Sequence, residues 1–353
     1  MHTSVAERVN MEAQGSAIPG KFSVVVPVLN SRDHLRASLD SILVAMERYG
    51  NAELIVLDNG SDDGSYEILL DEYGGRARIQ QIRGIPVSAL RNRGAALAGG
   101  EFIAFIDSDC VIVPDYFEQA LQILRSRADA TGSQPTLEDD SPYWIEKTWH
   151  AIHVAHRDGF VKSISSANLV VKRQAFLAID GFDEKMISCE DDDLGIRLNQ
   201  AGFKVYQCKS VRAIHAGADQ TLRIFFFKSA WRSMGMFRMM EHGWISKPLL
   251  ITFAHLFLCL AALANLGVQR ESWLMRAVVF LVLINLSPLL TIVYRRVQGG
   301  RPLHAPLRLL LLYHVFFVAR FYTMWRMLVS LGRSRETRIA MSAHLHNSAR
   351  KPE

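Results

Sequence analysis

Ordered cysteine spacing is missing from this chain. Cys110, Cys189, Cys208 and Cys259 include no CxxC pair and no zinc-type spacing. A disulfide framework and a structural zinc site are thereby excluded, and the four are expected as reduced thiols. The first twenty residues, MHTSVAERVNMEAQGSAIPG, contain no apolar run, so no cleaved export signal is expected there, only a flexible tail over 1–20. Neither GxGxxG nor GxxxxGK[ST] occurs. Any nucleotide must therefore be held by some device other than a dinucleotide fingerprint or a phosphate loop. No internal repeat is apparent.

What is abundant is apolar residues, and they are unevenly placed. Hydrophobic residues make up 49% of the chain against 21% charged, and they concentrate toward the C-terminus. Leu249–Val268 and Ala277–Tyr294 are each long enough to cross hydrocarbon at ~1.5 Å per residue. Leu307–Leu331 is apolar too, but His314, Arg320 and Arg326 interrupt it. Leu222–Met240 mixes Phe, Trp and Met with Arg223, Lys228, Arg232 and Arg238, a composition suited to a helix in the membrane interface. Part of the net charge of +5 comes from Arg295, Arg296, Arg301, Arg308, Arg333, Arg335, Arg338, Arg350 and Lys351. Basic residues beside apolar spans point to membrane lipids as partners, not nucleic acid.

The first half alternates strand and helix signals. KFSVVVPVLN (Lys21–Asn30) and ELIVLD (Glu53–Asp58) are short apolar strands, and Ile79–Ile82 is a possible third. Between the first two, Leu35, Leu39, Ile42, Leu43 and Met46 recur at helical spacing behind Ser31, a candidate N-cap. Further helix is expected over Tyr66–Tyr73 and Ser88–Ala98, then a strand through Phe102–Ile106. Ser166–Val171 and Phe203–Tyr206 read as extended and Leu194–Leu198 as helix, whereas Thr131–Asp158 shows no pattern. Such alternation predicts a parallel α/β sheet, whose ligands bind at the carboxyl ends of its strands.

Asp58, Asp107 and Asp109 all fall at such ends. Strand alternation would put Asp107 and Asp109 on one side with Ser108 opposite, and a hard divalent cation would relieve their repulsion. Asp58 is placed to accept hydrogen bonds from a base or ribose. A second acidic cluster, Glu190–Asp193 in GFDEKMISCEDDDLGIR, allows two readings. It is either the acidic start of a helix or the seat of a general base facing a pocket. His215, in VRAIHAG, is structural or, beside a metal-binding carboxylate, a further ligand.

Taken in order, VVVPVLN, LDNGSDDGS, ALRNRGAALAGGEFIAFIDSDC, SANLVVKRQAFLAIDGFDE, EDDDLGIRL and AIHAG resemble the family 2 glycosyltransferases of GT-A fold, over roughly residues 21–216. The resemblance implies a mostly parallel central sheet flanked by helices, an inverting transfer from a nucleoside-diphosphate sugar, and Mn2+ or Mg2+ as cofactor. It also implies residue roles. Pro27, Asn30, Asp58, Arg91, Asn92 and Asp107 belong to the nucleotide-sugar pocket. Asp109 is the metal ligand and His215 can complete its shell. Asp191, paired with Glu190, supplies the base. The QxxRW motif of processive polysaccharide synthases is replaced here by KSAWRS, with Trp231 and Arg232 but no Gln, which argues for transfer of a single sugar.

The expected organisation is a catalytic domain over 21–220, an amphipathic interface helix over 221–247, a membrane region over 248–331 and a basic tail over 332–353. Because the donor is cytoplasmic, the catalytic domain is expected on the cytoplasmic face of the inner membrane. Leu249–Val268 would cross outward, Gln269–Trp273 lie outside and Ala277–Tyr294 return. The third segment is expected to be interfacial or re-entrant. The acceptor is expected to be a glycan or a lipid-linked glycan. The rival readings are a non-catalytic membrane scaffold and a sugar nucleotidyltransferase, for which GIPVSALRNRG would be a poor triphosphate loop.

Overall fold

A computed structural model describes residues 17–137, 141–153, 157–186, 188–216, 221–241, 247–267, 272–299 and 305–329. Most of the expected N-terminal tail, residues 269–271 of the expected outer loop, Arg301 and the basic tail with Arg333, Arg335, Arg338, Arg350 and Lys351 lie outside these. The described residues fall into two compact units, one within 1–140 and 156–217, the other within 141–155 and from 218 onward.

The first unit is built on β1 (Ile18–Val28), β2 (Ala52–Asp58), β3 (Arg78–Gln81) and β4 (Gly100–Ile106). Phe22, Val24, Val26 and Val28 of β1 join one hydrophobic core, while Val25 joins the other. An unbroken apolar run is what a strand covered on both faces requires. The first core is closed by α1 (Arg32–Tyr49) and α4 (Tyr116–Ser126), through Leu35, Leu39, Ile42, Phe117 and Leu124. The second is closed by α3 (Val87–Leu97), α6 (Arg173–Ala178) and α7 (Glu190–Gln200), through Leu90, Phe176 and Leu194. Between β2 and β3 a short helix, α2 (Ser65–Ile68), widens into a π turn over Leu69–Tyr73.

The sheet order is β3-β2-β1-β4-β9-β6-β10-β8, with β6 (Ala130–Gly132), β8 (Gly159–Phe160), β9 (Asn168–Lys172) and β10 (Val205–Gln207). It is more mixed than expected. The β3-β2-β1-β4 half is parallel, but β9 runs antiparallel to both β4 and β6, and β8 antiparallel to β10. A second sheet joins β5 (Cys110–Ile112), β11 (Ala213–His215) and β7 (Thr136–Leu137). The stretch that showed no pattern thus holds two strands and, in the other unit, α5 (Trp144–His153).

Asn168, fully buried at the start of β9, ties these parts together. It accepts from Tyr116 Oη at 2.6 Å and donates to Ser133 O, Ser133 Oγ and Val211 O at 2.9–3.1 Å.

The second unit is helical: α5, α8 (Leu222–Glu241), α9 (Lys247–Leu266), α10 (Trp273–Gly299) and α11 (Pro306–Val329). By length and composition, α9, α10 and α11 are each long and apolar enough to cross a membrane. Large apolar side chains face outward, among them Phe257 at 71% and Trp273 at 73% exposure. That is a surface suited to lipid, not water.

Asn168→Ala removes four buried hydrogen bonds. We expect it to lower unfolding free energy by about 2–3 kcal/mol, read from urea unfolding of the detergent-purified chain, with Tyr116→Phe costing less.

Candidate active site

The strand order changes direction at β1. The chain steps from β1 to β2 and β3 on one side, then returns to β4 on the other. Ligands of open α/β sheets bind in the crevice at such a switch point. Here the crevice is prepared by the register. β1 pairs with β2 as far as Val28 opposite Asp58, but with β4 only as far as Val25 opposite Phe105. Beyond Val25 the ends of β1 and β4 are joined instead by the Ser31 and Ser108 hydroxyls, 2.6 Å apart. Ser31 is therefore not a side-chain cap for α1; its hydroxyl bonds Ser108 and Leu29 O, and only its carbonyl receives the first helical N–H groups.

Asp107 and Asp109 do not sit on one face of a strand. β4 ends at Ile106, and residues 107–110 form a turn closed by Cys110 N donating to Asp107 O at 3.0 Å. The turn separates the two carboxylates and gives each its own partner. Asp107 Oδ1 accepts from Arg91 Nη2 at 2.6 Å. Asp109 Oδ2 lies 3.5 Å from His215 Nε2. The second contact follows from the small sheet, where His215 stands opposite Cys110 and Ala216 N donates to Asp109 O at 2.8 Å.

Arg91, on α3, is 3% exposed and reaches two acids at once: Asp107, and through Nη1 Glu190 Oε1 at 2.7 Å. Burial opposes its charge, but Asp107 and Glu190 outweigh that and raise its pKa further. The first acid of the 190–193 run is thus the internal partner of Arg91, and it also accepts from Ser166 Oγ at 3.2 Å. Asp191 comes next. Its oxygens accept from Ser166 N at 3.3 Å and Asp192 N at 2.9 Å, but no cation pairs with it directly among the described residues. Burial, then Glu190 and Asp192, push its pKa up to about 8, with Arg91 opposing. Asp192 is raised too, chiefly by burial, against a hydrogen bond from Ser163 Oγ. Asp193 is held by Arg197 one turn on. Cys189, directly before α7, takes a left-handed backbone at φ 59°, a strained state that non-glycine residues adopt where function or packing enforces it.

The remaining expected residues divide into lining and support. Asn30, in left-handed backbone at φ 50°, accepts from Asp62 N at 2.9 Å, while its own N donates to Ser61 Oγ. Asp58 is fully buried at the end of β2. It accepts from Gly60 N, Ser61 N, Ser61 Oγ and Gln81 Nε2, fixing the 58–61 loop. Pro27 is buried within β1. Asn92 is buried on α3 and holds Phe182 through both its backbone groups, donating also to Glu184 at 3.2 Å. In this structure Pro27, Asp58, Arg91 and Asn92 all have protein neighbours. Sequence reading places Ser31, Ser108 and Ser166 on their segments but misses that they brace the crevice.

Among the described residues no three His, Cys, Asp or Glu side chains converge into a ready metal cage. Asp109 and His215 do converge, and an oxygen-plus-imidazole pair fits a Mg2+- or Mn2+-type ion that draws its other ligands from water and a diphosphate.

A crevice at the switch point of a mixed α/β sheet, edged by acids on two loops and a helix start, is the architecture of a nucleotide-diphospho-sugar transferase. Residues 23–179 match the profile described as Glycosyl transferase family 2. The chain is similar to the O-antigen biosynthesis protein RfbC of Myxococcus xanthus, 26% identical over 55% of this chain and 17% of RfbC. It is also similar to the amylovoran biosynthesis glycosyltransferase AmsB of Erwinia amylovora, 27% identical over 52% of this chain and 65% of AmsB. In both cases the chain spans less than two thirds of the relative's length. The mannosyltransferase PcManGT of Pyrobaculum calidifontis, solved with GDP-Man and Mn2+, shares the fold, with a TM-score of 0.51, 15% identity, and coverage of 98% of this chain and 92% of that one.

The raised pKa of Asp191 has a consequence for stability. The folded state holds a proton on Asp191 between roughly pH 4 and 8, while the unfolded chain has released it. This group therefore makes wild-type stability fall as pH rises through that window. Asp191→Asn removes the effect. The variant should melt above the wild type at pH 8, with the difference shrinking toward pH 4. A difference that stays constant with pH would disprove the raised pKa.

Proposed function

We propose that this chain is a membrane-anchored, metal-dependent inverting glycosyltransferase. It moves one sugar from a nucleoside-diphosphate donor to an acceptor hydroxyl, in the synthesis of a cell-envelope polysaccharide, glycan or glycolipid. The observation that carries this reading is Asp191. It is a carboxylate raised to about 8, at the start of α7, beside a buried Arg91 network that reaches the 107–109 turn. A base poised near working pH is what proton abstraction from an acceptor hydroxyl needs. The names of RfbC and AmsB support the envelope-polysaccharide setting. The three long apolar helices support the anchor.

In this reading Asp191 takes the acceptor proton while the acceptor oxygen attacks the anomeric carbon. Glu190 does not compete for that proton, because Arg91 and Ser166 occupy it. Asp107, Asn30 and the loop fixed by Asp58 line the donor side. Pro27, Arg91 and Asn92 hold that side in shape from within. Asp109 and His215 would hold the divalent ion, which when bound supplies charge stabilisation to the departing diphosphate. The site's acids favour such an ion, since a diphosphate entering beside several carboxylates is repelled. The missing Gln of KSAWRS supports a single transfer.

Asp191→Asn should still be stabilised thermally by its nucleotide sugar plus Mn2+ or Mg2+, yet lose transfer by about 10²-fold or more. Asp109→Asn should lose both, and EDTA should inactivate the wild type until Mn2+ or Mg2+ is restored. A panel of nucleotide sugars, scored by hydrolysis and by thermal shift, makes the measurement and identifies the donor. Full activity in chelator, with Asp109→Asn equally active, refutes the metal. Asp192 essential with Asp191 dispensable would move the base by one residue.

A further inference from the structure

The helical unit contains a mismatch between helix length and helix direction. α9 and α10 run side by side and antiparallel. Lys247 Nζ meets Tyr294 Oη at 3.2 Å, His255 Nδ1 shares a hydrogen bond with Ser287 Oγ at 2.6 Å, and Asn265 Nδ2 donates to Arg276 O at 2.9 Å. Each step forward along α9 is matched by an equal step back along α10, as in a hairpin whose arms are level.

α11 does not follow that direction. Near its start, Leu309 and Tyr313 cluster with Ile292, which is level with the first turn of α9. His314 Nε2 then shares a hydrogen bond with Asn285 Oδ1 at 3.0 Å, near the level of His255. The Phe317 ring stacks on His255, centroids 4.1 Å apart. Arg320 Nη1 returns to Pro248 O at 3.3 Å and Thr252 Oγ1 at 3.1 Å. Between Leu309 and Arg320 the helix advances roughly 16 Å, yet its start lies with Ile292 of α10 and Arg320 reaches Pro248 and Thr252 of α9, all toward the same end of the hairpin. A third arm parallel to the hairpin would have ended about 16 Å deeper. α11 therefore passes transversely across the open end of the hairpin, the end that carries Lys247, Arg295 and Arg296.

Its other contacts agree. α8 packs against it, with Thr323 Oγ1 donating to Ala230 O at 2.9 Å and Phe226 beside Tyr322. α5 adds Trp149 against Tyr313, and Trp144 beneath Arg308. The opposite side of α11 leaves an apolar stripe, Leu307, Leu311, Val318, Trp325 and Leu328, exposed. α11 is also the least apolar of the three long helices, with Arg308, Arg320 and Arg326 along its length. Arg320 is buried against Phe316 and α9, a placement that needs no charge in open hydrocarbon.

We infer that the chain crosses the bilayer twice, through α9 and α10 only, and that α11 lies in the plane of the membrane with α5 and α8. Together these three form a lipid-binding layer at the headgroup–acyl boundary. The partner surface is anionic glycerophospholipid: the apolar stripe enters the acyl edge while Arg308 and Arg326 remain at headgroup level. This rests on the membrane-anchored reading above and extends it. By parity of crossings, the chain before α9 and the chain after α11 lie on the same side.

Sidedness tests it without catalysis. Single cysteines are placed by Arg270→Cys, in the α9–α10 connection, and by Val329→Cys, at the end of α11, in the full chain with its four native cysteines changed to Ala. An impermeant maleimide is applied to right-side-out and inside-out vesicles. We expect Arg270→Cys to react in right-side-out vesicles and Val329→Cys only in inside-out ones. Reaction of Val329→Cys from the outside, or of neither site there, overturns the inference. If the cysteine-free background fails to fold, a C-terminal epitope tag on the otherwise native chain serves. Its protection from protease in right-side-out vesicles and loss in inside-out ones is expected, and the reverse overturns it. Asp109→Asn should label identically, so a wrong topology and a wrong reaction are told apart.

Discussion

One buried cation organises the candidate site. Arg91 reaches Asp107 on the turn after β4 and Glu190 on the first turn of α7, two segments 83 residues apart in sequence. Removing a charge from the middle of such a buried trio is costly, because the partners remain desolvated and unpaired. The turn and the helix start therefore keep a fixed relation, and Asp191 inherits its place from its neighbour. Arg91 also accounts for the difference between two adjacent acids: Glu190 is paired, while Asp191 is left with backbone donors and a raised pKa.

This arrangement answers a question posed by Asp107-Ser108-Asp109. Two carboxylates so close in sequence need positive charge nearby, and the charge comes from two sources. The protein supplies a guanidinium to Asp107, whereas Asp109 lies beside the His215 imidazole. The pair that looks symmetric in the sequence is asymmetric in space. Its first member is tied to Arg91, and its second converges with His215.

How much of this was legible in the sequence varies with the range of the force involved. β1, β2 and β4 could be read because a strand buried on both faces must be apolar throughout. The long helices could be read because their length and composition leave few alternatives. The antiparallel β9 could not, since strand direction is decided by partners distant in sequence and not by the apolar pattern of Asn168–Lys172. α5 was hidden because its stripe, Trp144, Ile145, Trp149 and Ile152, spans only ten residues and finds its partners at Phe225, Tyr313 and Phe316. Alternation misled at Asp107 and Asp109 because the strand stops one residue earlier. The acids themselves stand out at strand ends and in the 190–193 run, and the family resemblance implies their roles, but the division of labour between Glu190 and Asp191 depends on where a single arginine side chain reaches.

The Ser31–Ser108 contact gives the crevice an unequal construction. Its β1–β4 corner is held by two neutral hydroxyls, indifferent to ionic strength and to any charge that enters. Its α7 side is held by ions. The cleft thus has one corner whose tie is blind to charge and one wall whose tie is made of it, so a change in the charge of Arg91, Asp107 or Glu190 would be felt at the wall that carries Asp191 and not at the Ser31–Ser108 corner.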